Sequence, residues 1–300
     1  MIPTPAIGNP RAEGRAIDGI LLVDKPAGVT SHDVVSAARR ALGTRRIGHA
    51  GTLDPFATGL LVLMIGNATR LLPYLDGEPK VYDATIAFGT ETDTDDSTGT
   101  PIRVAAHPEP ERVRVSLAEL TGTIGQVPPS YSAKQVGGRR AYDAARRGAP
   151  LELAPVEVTV HGWTIRHLSS ERLEATITCG GGTYIRALAR DLGRLCGSAG
   201  HLARLRRTRS GSFDVRDATA VDALRTGEIA VQPARAAVGH LPSIVLSSAD
   251  VAHVRHGRPV GAAAPADTET AALVDETGRL VAIAGRAEGA WRPRVVLPDA

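Results

Sequence analysis

Asp54 is the side chain in this sequence best placed to act as a nucleophile. It sits in Arg46-Ile47-Gly48-His49-Ala50-Gly51-Thr52-Leu53-Asp54-Pro55-Phe56-Ala57-Thr58-Gly59, just ahead of the apolar run Leu60–Ile65. The glycines permit backbone angles and close approaches that a side chain forbids, and Pro55 stiffens the turn and biases Asp54 away from helix. An isolated Asp-Pro marks only a turn. A carboxylate held rigid on both sides does more, because an ordinary aspartate, with a pKa of roughly 3.9, is already ionised at neutral pH. It then needs aiming rather than an activating base.

Other chemistries find less support. Cys179 and Cys196 are the only cysteines and lack zinc spacing, so free thiols are expected. Cys179-Gly180-Gly181-Gly182 precedes a helical pattern, but no Gly-x-Gly-x-x-Gly or following Lys-Ser/Thr makes it a nucleotide fingerprint. The acidic stretch Thr90–Gly99 carries Asp93, Asp95 and Asp96 without the closing glutamate of a calcium loop. No metal and no cofactor are therefore expected.

The elements that must position Asp54 are legible from pattern. Gly19–Lys25 reads as a buried strand, Lys25-Pro26-Ala27-Gly28 as a turn, and Ser31 as the cap of a helix over His32–Leu42 with Val34, Val35, Ala38 and Leu42 on one face. Leu60–Ile65 reads as a buried strand, Asn67–Leu75 as a short helix, and Lys80–Gly89 as an alternating strand. Pro110–Leu120 is helical. Val156–Val160, Trp163–Arg166 and Arg172–Cys179 are strand-like, and a helix follows with Ile185, Leu188 and Leu192 inward. Residues 1–16 form a flexible tail, and residues 125–151 fit an insertion with a short helix near Ala141–Arg147. From about Leu241 a small alanine-rich unit begins, with a helix over Ala249–His256, a hairpin joining Ala271–Val274 to Arg279–Ala284, and a last strand at Arg294–Leu297.

The chain has 300 residues, 43% hydrophobic and 22% charged, which is ordinary for a globular protein. No apolar run reaches the ~20 residues needed to cross a bilayer, and the N-terminus lacks a signal peptide's features, so a cytoplasmic protein is expected. The net charge is only +3, but it is clustered. Lys134, Arg139, Arg140, Arg146 and Arg147 form one group. Arg194, Arg204, Arg206, Arg207 and Arg209 form another, with no acid between Asp191 and Asp214. Either group alone reads as a solvated face. Two arginine-rich groups point to a polyanion, since the guanidinium fork suits phosphate.

Gly48-His49-Ala50-Gly51-Thr52-Leu53-Asp54-Pro55 closely resembles the active-site motif of the TruB-type tRNA pseudouridine synthases. Four further segments match that family in order: Lys25-Pro26-Ala27-Gly28, Lys80-Val81-Tyr82, Pro128-Pro129-Ser130-Tyr131-Ser132-Ala133 and Gly182-Thr183-Tyr184-Ile185-Arg186. The resemblance covers about Gly19–Arg209. It implies a mixed α/β (α+β) fold with an antiparallel-rich central sheet over residues 17–240, an RNA-closing arm over 125–151, and a PUA-like RNA-binding domain over 241–300. It implies isomerisation of uridine 55 in the tRNA T-loop, without cofactor, on a base flipped out of the RNA.

The resemblance also implies roles. Asp54 would be the nucleophile, at C6 of the base or C1′ of the sugar. Arg186 would keep it ionised and aimed, Tyr82 would stack on the flipped uracil, and Tyr184 would serve proton transfer from C5. His49 would wedge the opened T-loop, and Lys25 would help build the site and contact RNA. Arg70 stands where the family commonly has lysine. The cations Lys134, Arg139, Arg140, Arg146, Arg147, Arg204, Arg206, Arg207 and Arg209 would hold phosphates of the T-stem-loop. No obligate protein partner and no membrane are expected. Two alternatives answer to the same residues: a tRNA-binding folding assistant whose catalysis is dispensable, and an aspartate-nucleophile glycoside hydrolase. The latter normally wants a second carboxylate about 5–10 Å away, and no motif offers one.

Overall fold

The computed structural model describes residues 17–132, 134–136, 139–149, 151–227, 229–261 and 268–298. The tail expected over residues 1–16 lies outside them. Contacts divide the chain into two units that do not follow chain order. One takes the residues up to Pro55, Leu60–Asp76 and those from Val215 on; the other takes Phe56–Gly59 and Gly77–Asp214.

In the first unit, β1 (Gly19–Lys25) forms because Ile20, Leu21, Leu22 and Val23 are a continuous apolar run, and all four are buried. Helix α1 (Ser31–Leu42) follows. Its Val34, Val35, Ala38 and Leu42 recur at helical spacing and share one core with Leu21, Val23, Leu61, Leu63 and Ile65. Each such buried Val or Leu stabilises the fold by about 1.5–3 kcal/mol. The cap falls one residue earlier than the sequence suggests. Thr30 accepts the Asp33 N–H while Asp33 accepts the Thr30 N–H, a reciprocal box that leaves Ser31 for a tertiary role.

Strand β2 (Ile47–His49) pairs antiparallel with β3 (Thr58–Ile65). The short helix expected after β3 is a 3-10 helix, Gly66–Tyr74. Short strands Thr219–Ala220 and Gln232–Pro233 extend β1, the first parallel and the second antiparallel. A separate four-stranded sheet follows, in the order Ser243–Val245, Thr270–Val274, Leu280–Ala287, Ala290–Val296. It has its own core around Trp291, Leu273 and Val254. Its hairpin falls where the sequence puts it, with Asp275 Oδ1 accepting the Thr277 and Arg279 N–H groups. The last strand starts four residues earlier than the expected Arg294.

The second unit contains β4 (Lys80–Phe88), β5 (Thr90–Thr92), β6 (Pro101–Val104), α2 (Pro110–Glu119) and β7 (Gly122–Gln126). Next come β8 (Gln135–Val136), β9 (Arg139–Arg140) and α3 (Ala141–Arg146). Strands β10 (Val156–Leu168) and β11 (Arg172–Cys179), helix α4 (Ile185–Leu195) and strand β12 (Gly200–Ser210) complete it. Its sheet runs β12-β4-β11-β10-β7 with every adjacent pair antiparallel, and β12 takes Thr58 and Gly59 of β3 in parallel. The fold is thus mixed α/β, dominated by a large mixed sheet, as the sequence suggests.

One element differs from expectation, and a second carries none from the sequence. The segments Val156–Val160 and Trp163–Arg166 are one strand, β10, whose register slips at Val160/Gly162 and Ile165/His167. Such bulges interrupt the alternation by which a single strand is recognised. The arginine-rich segment is a strand, β12, whose register shifts at Leu202/Arg204 and Arg207/Arg209 leave Arg204 and Arg209 exposed and Arg207 buried. No helix among the described residues is long and apolar enough to cross a membrane.

Candidate active site

Asp54 lies half-buried between Leu53 and Pro55, whose backbones are held by residues of the preceding turn and helix. On one side, Ser31 Oγ donates to the Leu53 carbonyl at 3.1 Å and accepts the Leu53 N–H at 2.9 Å. On the other, the Pro55 carbonyl accepts from the Gly28 N–H at 2.8 Å and from Lys25 Nζ at 3.3 Å. Lys25 Nζ also donates to the carbonyls of Val29 and Pro26, at 2.8 and 3.0 Å. Lys25 is completely buried. It is not an exposed turn lysine; it clips the Asp54 loop to the turn before α1. Gly28 has φ +84, so the turn that presents its N–H favours glycine at that position. His49 is half-buried at the end of β2, opposite Leu63. Arg70 is exposed and donates to the Val296 carbonyl at 2.6 Å.

The other proposed catalytic side chains belong to the second unit. Tyr82 is buried on β4, in register with Ile177 of β11 and Arg207 of β12. Tyr184 is the N-cap of α4, with φ −94 and ψ 106, and its own side chain makes no capping bond. Gln126, fully buried at the end of β7, grips this residue twice: its Oε1 accepts the Tyr184 N–H at 2.8 Å and its Nε2 donates to the Tyr184 carbonyl at 3.1 Å. Of the glycines before α4, Gly180 and Gly181 stand against Glu78. A Cβ on Gly181 would stand 2.1 Å from Glu78 Oε1 and 3.4 Å from Lys80 Nζ. Burial, followed by the nearby Arg207, holds the Lys80 ammonium below its ordinary pKa. Burial pushes the Cys179 thiol up to about 11, so this sulfur is unreactive at neutral pH.

Arg186, Arg190 and Arg194 stand at successive turns of α4, and each faces the acidic stretch of residues 91–96. Arg186 is buried; its Nη1 donates to the Thr94 carbonyl at 2.9 Å and lies 3.6 Å from Asp96, while Nη2 donates to the Tyr131 carbonyl at 2.9 Å. Arg190 contacts Asp95 and Asp191 at 2.8 Å each and donates to the Val127 carbonyl at 2.9 Å. Arg194 forks onto both oxygens of Glu91. Arg194 is exposed, but its charge is offset by Glu91, which its place in the sequence cluster does not reveal.

Of the remaining cations, Arg204 and Arg209 are exposed, Arg206 is half-buried, and Arg207 is 1% exposed. Arg207 stands in register with Tyr82 and is buried with it. Lys134 and Arg147 are exposed. The side chains of Arg139, Arg140 and Arg146 lie outside the described set. Sequence reading missed Gln126, Arg190 and the tertiary role of Ser31. The only available signal was a polar Gln126 directly before Val127-Pro128-Pro129, at the start of the insertion.

The family model described as TruB family pseudouridylate synthase (N terminal domain) matches residues 39–185, and that of the tRNA pseudouridylate synthase B C-terminal domain matches residues 186–237. The chain is 46% identical over 293 residues to tRNA pseudouridine synthase B of Thermobifida fusca (strain YX), covering 93% of this chain and 98% of that protein. It is 42% identical to the tRNA pseudouridine synthase B of Arthrobacter sp. (strain FB24), covering 93% and 96%. A solved H/ACA RNP bound to a substrate RNA containing 2′-deoxyuridine superposes with a TM-score of 0.69 at 25% identity, covering 93% of this chain and 85% of that one. The archaeal box H/ACA Nop10–Cbf5 complex shares the fold, with a TM-score of 0.68 at 23% identity, covering 98% of this chain and 92% of that one. This chain belongs to the TruB family of pseudouridine synthases; it is an isomerase.

Proposed function

We propose that this chain converts uridine 55 of the tRNA T-loop to pseudouridine in the cytoplasm, with Asp54 as nucleophile and no cofactor. One observation carries the nucleophile assignment: the residues on both sides of Asp54 are held, Leu53 through its N–H and carbonyl by Ser31, and Pro55 through its carbonyl by Lys25 and Gly28. A carboxylate so held loses little freedom on reaching the substrate. The tRNA substrate is supported by relatives named tRNA pseudouridine synthase B.

The reaction breaks the C1′–N1 bond, turns the uracil, and joins C5 to C1′. The proton leaving C5 is balanced by one gained at N1, so no oxidant or energy donor is consumed. The uridine must leave its stack before a carboxylate reaches it. Tyr82 stacks on the flipped base, Tyr184 serves the proton movement at C5, Arg186 orients Asp54, and His49 holds the opened loop. Arg204, Arg206, Arg209, Lys134, Arg139, Arg140, Arg146, Arg147 and Arg70 are the candidate phosphate contacts. The sheet within residues 241–300 acts as a PUA-like RNA-binding module.

The test is a T-loop transcript assayed for pseudouridine. Asp54→Asn should abolish turnover and leave RNA affinity within a few fold, since a carboxylate adds no attraction for phosphate. Appreciable isomerisation by Asp54→Ala would sink the nucleophile role.

A further inference from the structure

The root of the inserted arm is fastened to the start of α4 at three places. Gln126 grips the Tyr184 backbone with both ends of its amide. One residue on, the Val127 carbonyl accepts from Arg190, and the Tyr131 carbonyl accepts from Arg186. The fastening continues into the arm: the Tyr131 ring meets Tyr142 of α3 edge-on, with centroids 6.1 Å apart, and the Tyr142 N–H donates to the Ser132 carbonyl at 3.0 Å. Tyr142 is exposed on its far side.

The Gln126 contact differs from the other two. Arg186 and Arg190 hold carbonyls of the arm root, whereas Gln126 holds the backbone of a residue proposed to act on the substrate. Tyr184 has no capping bond of its own, and its carbonyl already accepts the Leu188 N–H at 3.2 Å, closing the first turn of α4. A buried amide matched donor-to-acceptor with one residue's N–H and C=O restricts that residue's φ and ψ, and so the direction in which its side chain leaves the chain. An unbonded, fully buried amide is costly, so the pairing is self-enforcing. We infer that Gln126 is a positioning residue for Tyr184, and that it makes the geometry of this tyrosine depend on the root of the 125–151 arm.

The inference rests on the proposed role of Tyr184, and the test separates the two. The variants are Gln126→Met, which keeps volume and removes both bonds, Tyr184→Phe, and the double variant. The readouts are kcat and KM on a T-loop transcript, with thermal unfolding recorded for each. Gln126→Met should lower kcat by ~10–100-fold and leave KM within about threefold, because the role proposed for Tyr184 is in the proton movement and not in holding the RNA. In the Tyr184→Phe background, the same substitution should lower kcat by less than about threefold, since the group being aimed is gone. Additive losses, with Tyr184→Phe itself impaired, overturn the positioning role and leave the Tyr184 reading intact. A fully active Tyr184→Phe overturns the reading beneath, and the inference with it. Where Gln126→Met does not fold, Gln126→Asn replaces it. It keeps the amide but withdraws it by one methylene, and the same non-additivity is expected.

Discussion

Ser31 and Leu53 exchange two hydrogen bonds through a single hydroxyl, which donates to the Leu53 carbonyl and accepts its N–H. Ser31 is 3% exposed, so nothing from solvent replaces it. Ser31→Ala leaves a buried N–H and carbonyl without this partner, at a cost of about 1–3 kcal/mol of stability. The freed peptide is the one entering Asp54. Its displacement should lower kcat by roughly 10–100-fold, with KM changed only a few fold. Denaturant unfolding and steady-state kinetics on the same preparation check both halves. A destabilised variant with unaltered kcat would show that Lys25 and Gly28 hold the loop alone.

Arg186→Lys keeps one positive charge and loses the planar fork. The guanidinium reaches the Thr94 and Tyr131 carbonyls and the Asp96 carboxylate from two nitrogens. A lysine ammonium, a single compact centre, does not span those directions. Turnover at saturating tRNA should fall about 100-fold while RNA affinity stays within a few fold. Near-normal turnover would mean that charge, not orientation, is what the site requires of Arg186.

Asp95 gives the fold an identifiable pH dependence. Burial pushes its carboxyl up to about 6, despite Arg190 and Arg186 beside it. The folded chain therefore holds this proton more tightly than the unfolded one, whose carboxyl titrates near the ordinary 3.8. The stability this group contributes is fully present below about pH 4 and is lost as pH rises through about 6, a change on the order of 3 kcal/mol. Asp95→Asn, neutral throughout, should remove that slope between pH 4 and 6. Parallel melting curves for the variant and the parent across the window would contradict it.

What the sequence could reveal was local. The glycines and proline around Asp54, the alternation of β4 and the apolar face of α4 are read within a dozen residues, and each became the expected element. What it could not reveal was who meets whom. Lys25 clips Pro55 across 30 residues, and Gln126 reaches Tyr184 across 58. Arg194 looked like part of a basic patch because the acid that neutralises it, Glu91, lies 103 residues upstream. Charge counted along a chain ignores partners brought by the fold, so the counted cluster takes in Arg194, which pairs with Glu91, and Arg207, which is buried.

The pairing of Arg186, Arg190 and Arg194 with Asp96, Asp95 and Glu91 closes a charge-neutral zipper along α4. Neutralised guanidinium groups displace no condensed ions from a nucleic acid. The salt slope of the proposed RNA association should therefore count the outward cations, such as Arg204, Arg209, Lys134 and Arg147, at ~0.7–0.9 per phosphate engaged, and not the arginines of this helix. Most of the charge on α4 is thereby silent at long range. It acts as an internal fastener, while the strand and arm that flank the helix in sequence supply the attraction a polyanion feels on approach.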